Sequence, residues 1–214
     1  MSQTFVRELL DSHAPLLADL GDPSPAEIPA SPGLPQLLRV ALANEISASE
    51  LAAAWMPTTP EVDVKMALAR QAGDEAGHFQ LIEARLQALG ISTADFVAPA
   101  PNVRFRYLRG LETTAERIAA GQVALESIAY RVNEGFMRLC AALGDTETAQ
   151  IYARVIQPEE LHHHRTGCEL LARHATTPEA QARAREASMR ALEIASELRA
   201  AAARQLGTRC FPGC

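Results

Sequence analysis

The sequence predicts an all-α fold, a four-helix bundle with a long crossover and extra N- and C-terminal helices. Three observations lead there. Apolar residues make up 48% of the chain and aromatics only 5%, with Ala and Leu dominating, a composition that favours helix over strand. Apolar positions recur every three or four residues through four long segments, the spacing of one helix face. The few extended segments are Ala-rich and offer no strand, and Gly and Pro fall where the helical patterns stop.

In chain order, a short amphipathic segment around Phe5 to Leu20 is followed by GDPSPAEIPASPGLP, too rich in Pro, Ser and Gly to continue a helix. From Pro35 to about Trp55, Leu38, Ala41, Glu45, Ala48, Ala52 and Trp55 mark one helix face, and MPTTP breaks it. A second helix spans about Glu61 to Leu89, with Leu68, Ala72, Glu75, His78, Ile82 and Leu86 on its stripe, and Gly90 stops it. The segment GISTADFVAPAPNVRFRYLRG is long for a hairpin loop and suits a crossover spanning the bundle. A third helix from about Glu112 to Leu143 turns at Gly144-Asp145 into a fourth, about Thr146 to His174. ATTPEA then precedes a last Ala-rich helix ending near Leu206. With 214 residues and no composition break, the chain reads as a single domain, 1–214. Its bundle core is about 35–174, its lead-in 1–34, and its additional C-terminal helix 178–206.

A formal charge of −6 argues against electrostatic capture of nucleic acid or anionic membrane, which basic surfaces perform. Arg7, Glu8, Asp11 and His13 interrupt the first twenty residues, so they lack the apolar centre of a signal peptide. No stretch approaches the roughly 20 apolar residues that cross a bilayer. A cytoplasmic, soluble protein is expected. Cys140 and Cys168 fall inside helical patterns, where a reduced thiol is the usual state.

The chemistry concentrates in two Glu-x-x-His pairs, Glu75/His78 and Glu160/His163. A spacing of three puts both side chains on one helix face, about a turn apart, where they can grip one metal region. One such pair alone is an ordinary surface coincidence. Two, each in the second helix of a hairpin and in contexts that overlay as DEAGH and EELHH, form a repeat. The first helix of each hairpin adds one inward glutamate: Glu45 among Leu38, Ala41 and Ala48, and Glu126 among Ala119, Val123, Ala129 and Asn133. An unpaired buried carboxylate costs several kcal/mol, and a metal cation compensates it directly. Counted from the Gly144 turn, Glu126 lies about 18 residues before and Glu160 about 16 after, so their levels agree within roughly a turn. From a turn near Thr58, Glu45 lies about 13 before and Glu75 about 17 after, an offset of roughly 6 Å.

One glutamate from each of two helices and Glu-x-x-His from each of the other two is a set that resembles the ferritin-like di-iron carboxylate superfamily, over about Pro35 to His174. The resemblance implies that Glu45, Glu75, His78, Glu126, Glu160 and His163 hold two ions, with at least one bridging carboxylate. Carboxylate and imidazole donors suit iron or manganese. Glu159/His162 is a competing Glu-x-x-His. The overlay of DEAGH on EELHH and the face running through Ile156, Glu160, His163, Gly167 and Leu171 both favour Glu160/His163. In that register Asp74 and Glu159 become equivalent, each placed to hydrogen-bond the far ring nitrogen of the opposite hairpin's histidine, with surface charge as the plainer alternative.

His162 and His164 then point away from the site, and Glu50 and Glu134 read as surface salt-bridge residues. Tyr130, a turn beyond Glu126, reads either as a hydrogen bonder behind the ligands or as an ordinary half-buried tyrosine. RFRYLR, Arg104 to Arg109, reads as loop anchoring or an anionic contact, and the Cys210/Cys214 tail as frayed.

By resemblance the chain is an oxygen-activating di-iron oxidoreductase, a non-haem monooxygenase or oxidase with two irons and dioxygen as co-substrate. It would work on a small-molecule or modified-nucleoside substrate with an electron donor and no membrane. A substrate pocket is expected beside the Glu126 helix, where AAGQVAL and Gly167 leave room unless they serve close packing. The alternative is a ferroxidase or iron-handling protein: a large shell would mark storage, a monomer or homodimer an enzyme. A structural bundle merely stabilised by metal is a third reading. In length and motif the chain is similar to small di-iron hydroxylases that modify transfer RNA.

Overall fold

The computed structural model describes residues 2–21, 33–206 and 212–213, and among these residues there is no strand. Within them, seven helices form an all-α ferritin-like bundle. Helix α1 spans Ser2–Gly21, α2 Leu34–Trp55, α3 Val62–Ala88 and α4 Val103–Arg109. The third long helix, α5, runs on without interruption through Thr114–Arg117, Ile118–Leu125 and Glu126–Ala142. The fourth, α6, does so through Thr146–Ile151, Tyr152–Ile156 and Gln157–His174, and α7 is Pro178–Leu206. The central portions of α5 and α6, Ile118–Leu125 and Tyr152–Ile156, are wound more widely than an α-helix, with π-type bonding.

Local chemistry sets the ends. Pro35 sits in the first turn of α2, where a missing N–H costs nothing. Gly90 (φ 79°) closes α3: its N–H bonds Gln87 O at 2.9 Å and that of Ile91 bonds Leu86 O at 3.0 Å. Gly144 (φ 82°) repeats the closure on α5, with Gly144 N to Ala141 O at 3.1 Å and Asp145 N to Cys140 O at 2.9 Å. Asp145 then caps α6 by accepting from Thr148 N at 2.9 Å and binds Arg85 of α3 at 2.9 Å, tying the two hairpins together.

Helices α2 and α3 form one hairpin and α5 and α6 the other, while α1 and α7 pack on the second. The apolar core is divided. One cluster joins α1, α7 and the adjoining parts of the bundle through Leu9, Leu51, Trp55, Leu68, Val123, Leu171 and Leu192. The other, at the opposite end, gathers Leu38, Leu42, Ile82, Leu86, Phe136, Tyr152 and Ile156. Polar residues interrupt α2, α3, α5 and α6 between these two clusters.

Two expectations are corrected. RFRYLR is not loop: Asn102 caps a helix by accepting from Phe105 N at 3.1 Å, and Arg104, Phe105 and Leu108 are buried. Within the tail, Cys210 and Cys214 lie outside the described residues, as does 22–32 of the lead-in. Pro212 and Gly213, however, are buried, and Gly213 N–H donates to Asn133 Oδ1 at 3.2 Å, so this part of the tail is docked rather than frayed.

Close packing between α5 and α6 requires Gly167. A Cβ there would lie 2.7 Å from Gln122 Cβ and 3.1 Å from its carbonyl carbon, whereas a Cβ at Gly73 of α3 would meet nothing within 4 Å. Gly167→Ala should therefore destabilise the fold by about 1–3 kcal/mol, and Gly73→Ala should stabilise it by about 0.5–1 kcal/mol. Thermal melts of the two variants check the opposite signs.

Candidate metal centre

Helices α2, α3, α5 and α6 each contribute to the polar layer from mid-span. Glu45 follows Leu42 and Ala41 on the buried face of α2; Gln71, Glu75 and His78 lie between Leu68 and Ile82 on α3. Glu126 sits at the end of the widened stretch of α5, and Glu160 and His163 follow the widened stretch of α6. All six predicted ligand residues are at most 2% exposed.

The six form two overlapping quartets. Potential ligand atoms of Glu45, Glu75, His78 and Glu160 lie within 4.8 Å of one another, and so do those of Glu75, Glu126, Glu160 and His163. Glu75 and Glu160 belong to both. The roughly 6 Å offset counted for Glu45 does not keep it out of the layer: Glu45 Oε2 lies 3.4 Å from His78 Nδ1.

The histidines are held from behind. His78 Nε2 is 2.8 Å from Glu159 Oε2, and His163 Nε2 is 3.0 Å from Asp74 Oδ2, each bond crossing between α3 and α6. These are the two reciprocal contacts the overlay of the pairs predicts. An Nε2–H donated outward leaves the Nδ1 lone pair facing inward. There, His78 Nδ1 is 3.2 Å from Glu75 Oε2, and His163 Nδ1 is 3.6 Å from Glu75 Oε1 and 3.8 Å from Glu126 Oε2. Acceptors facing acceptors require a cation between them, whether a proton or a metal.

The electrostatics carry the same demand. Burial pushes the Glu45 and Glu126 carboxyls up to about 8. Burial, together with the charges of Glu126 and Glu75, holds Glu160 well above the usual carboxylate range. Burial also works to raise Glu75, but its hydrogen bond and charge interaction with His78 prevail and lower it. Burial likewise works to lower His78, yet Glu45 and Glu75 keep its proton on and raise it. Asp74, despite its partial burial, is held below the ordinary range by His163 and Arg70. Without metal, protons thus occupy part of the space between the carboxylates. Glu45 Oε2, Glu126 Oε2 and His163 Nδ1 are buried without a hydrogen-bond partner. This donor set of carboxylate and imidazole, with lone pairs converging, fits a pair of divalent ions of the iron or manganese kind.

Other predicted residues fall outside the layer. His162 is exposed; His164 packs between α5 and α6, its Nδ1 3.0 Å from Ser127 Oγ. Glu50 pairs with Arg109 at 3.1 Å and Glu134 with Arg131 at 2.8 Å. Tyr130 is half-buried and its hydroxyl makes no hydrogen bond among the described residues; its carbonyl accepts from Gln157 Nε2 at 3.0 Å. The room expected at AAGQVAL and Gly167 is absent: Ile118–Leu125 is buried throughout and Gly167 serves close packing. A cavity of about 150 Å³ does border α5, at Ile128 and Val132, with Val40, Asn44, Arg104 and Leu198 opposite.

Gln71 and Gln122 are buried beside Glu126 and were not legible as part of the site. Gln71 Nε2 donates to Glu126 Oε1, and Gln122 Nε2 is 3.4 Å from Gln71 Oε1. The available signal was their spacing, four residues before Glu75 and Glu126 respectively; the stripe read from sequence held Ala72 instead, which is only half-buried.

Residues 26–209 match the family described as phenylacetic acid catabolic protein. No curated protein and no solved structure matches the chain.

The raised carboxyls fix the sign of a pH dependence. Glu45 and Glu126 bind a proton more tightly when folded than at their ordinary 4.5, so the stability they contribute is complete below pH 4.5 and is lost as pH rises through about 8. Metal-free protein should melt at progressively lower temperature from pH 5.5 to 8.5 in the presence of chelator. Apparent metal affinity should rise over the same interval as protons are displaced. Thermal melts and metal titrations at fixed pH check both trends.

Proposed function

The chain belongs to the phenylacetic acid catabolic protein family, whose members are di-iron monooxygenase components of aromatic catabolism, and on that premise we propose that it uses two irons and dioxygen to oxygenate an aromatic acid or a derivative of one. The observation that carries the reading is the pair of overlapping quartets sharing Glu75 and Glu160. In this assignment Glu45 and His78 would hold one ion and Glu126 and His163 the other, with Glu75 and Glu160 available to both. When bound, the iron pair supplies the electrons that activate dioxygen. The chain's own side chains do the rest. Asp74 and Glu159 fix each imidazole's tautomer and raise its basicity as a ligand. The apolar clusters on either side exclude water and strengthen the electrostatic interactions between them.

Members of this family work within multicomponent oxygenases, so an electron-donating partner completes the cycle. Among the described residues no helix is long and apolar enough to cross a membrane. The similarity to transfer-RNA-modifying hydroxylases receives no support from the family match, and phenylacetic acid and related aromatic acids are the first substrates to test.

Protein purified from iron-replete cells should carry about two irons per chain and consume oxygen with an aromatic acid and reductant. Purified protein devoid of transition metal would sink the reading; turnover of modified nucleosides but not aromatic acids would replace its substrate. Glu160→Ala should abolish binding of both ions, whereas Glu159→Ala should weaken metal binding by about 10- to 100-fold. Metal analysis of the two variants checks the ranking.

A further inference from the structure

The two halves of the centre are related by the repeat in the sequence but are not equally built. Laying DEAGH over EELHH carries Gln71 onto Ile156, since each lies four residues before the shared glutamate of its helix. One turn before Glu126 stands Gln122; one turn before Glu45 stands Ala41. Ala41 and Ile156 belong to one apolar cluster. The Glu45 half therefore has alkyl side chains where the Glu126 half has two amides.

Those amides form a directed chain. Gln71 is 3% exposed and Gln122 1% exposed, so their hydrogen bonds are not contested by solvent. Gln122 is set by backbone packing, its Cβ and carbonyl carbon lying where only a glycine at 167 lets α6 approach. Its Nε2 faces Gln71 Oε1 at 3.4 Å. With that oxygen accepting, the Gln71 amide nitrogen is turned towards Glu126 and donates to Oε1. The Glu126 carboxyl is also hydrogen-bonded to Glu160, and its Oε2 lies 3.8 Å from His163 Nδ1. Among the described residues no amide is hydrogen-bonded to Glu45, whose side-chain partners are His78 and Glu75.

We propose that Gln71 is a positioning residue that pins the Glu126 carboxylate by one oxygen and offers only the other to metal, making the Glu126/His163 position distinct from the Glu45/His78 position. The inference rests on the reading of these residues as ligands. Gln122 acts one step further back by orienting the Gln71 amide. A carboxylate held in this way cannot swing to chelate through both oxygens without breaking a buried hydrogen bond. Among the described residues the Glu45 carboxylate has no amide donor, its partners being His78 and Glu75, both in the ligand cluster.

The test is an anaerobic titration of the metal-free full chain with ferrous iron, repeated with cobalt(II), whose visible absorption reports the coordination of each ion. Gln71→Leu removes the donor; Gln71→Met, unbranched and closer in shape to glutamine, is measured beside it in case the first fails to fold. Both variants should weaken one of the two binding equivalents about tenfold or more, leave the other within about twofold, and alter the bands of one cobalt ion only. Gln122→Leu should weaken the same equivalent by less. Two ions bound by the unsubstituted chain, with both equivalents or neither shifted in the Gln71 variants, would overturn this inference and leave the proposed function standing. Fewer than two ions bound by the unsubstituted chain would overturn both.

Discussion

Four carboxylates and two imidazoles converge in the middle of an apolar bundle, and the structure depends on how that convergence is tolerated. Each buried carboxylate loses several kcal/mol of hydration, and the raised Glu45, Glu126 and Glu160 carboxyls express that loss. Removing the charge would be simpler for folding. Retaining it is intelligible only if cations gather there, since they offset the desolvation that protons merely avoid. The apolar clusters at either end serve the same arrangement: they supply the packing that stabilises the helices and keep water from weakening the field between the clusters.

A repeated hairpin supplies the nearly twofold geometry, and departures from the repeat make it chemically uneven. Widened winding occurs in α5 and α6 but not in α2 or α3. One residue added to a helical turn rotates the downstream residues by about 100°, so the inward aim of Glu126 and Glu160 depends on residues 118–125 and 152–156 as well as on their own positions. It is this second hairpin that α1 and α7 pack against, with Leu9 and Leu192 in a shared cluster. A π-type stretch sacrifices regular bonding and persists where surrounding packing enforces it.

That Glu45, Glu75, His78, Glu126, Glu160 and His163 come together was legible because their chemistry contradicts their setting: a glutamate at a position where Leu38, Ala41 and Ala48 occupy the same face asks for a partner. The contacts of Asp74 and Glu159 were legible because the two Glu-x-x-His pairs overlay, so one placement implies the other. The widened stretches were not. IAAGQVAL carries no periodicity that separates α from π winding, and all eight residues are buried, so no polar face marks the register. Gly167 read as room because sequence cannot distinguish a missing side chain that leaves space from one that lets a backbone approach. The helix Val103–Arg109 was concealed by alternating charge and aromaticity, although Asn102 before it and Gly110 after it are end signals of the usual kind.

The bonds that hold the two histidines also define where the centre meets the surface. Glu159, bonded to His78, has a side chain 34% exposed, and Asp74, bonded to His163, is 19% exposed and pairs with the exposed Arg70 at 3.0 Å. Both contacts lie along the seam between α3 and α6. Each buried ring is thus one hydrogen bond away from solvent on that side, while Leu42, Ala48, Ile128 and Ala129 flank Glu45 and Glu126 on the helices opposite. Fixing a ring nitrogen needs an anion behind it, and an anion is less costly to keep near water than in the core. The tautomer requirement therefore draws the centre towards the α3–α6 seam, and the deep side of the same layer is left to Glu45 and Glu126, which hold protons until metal displaces them.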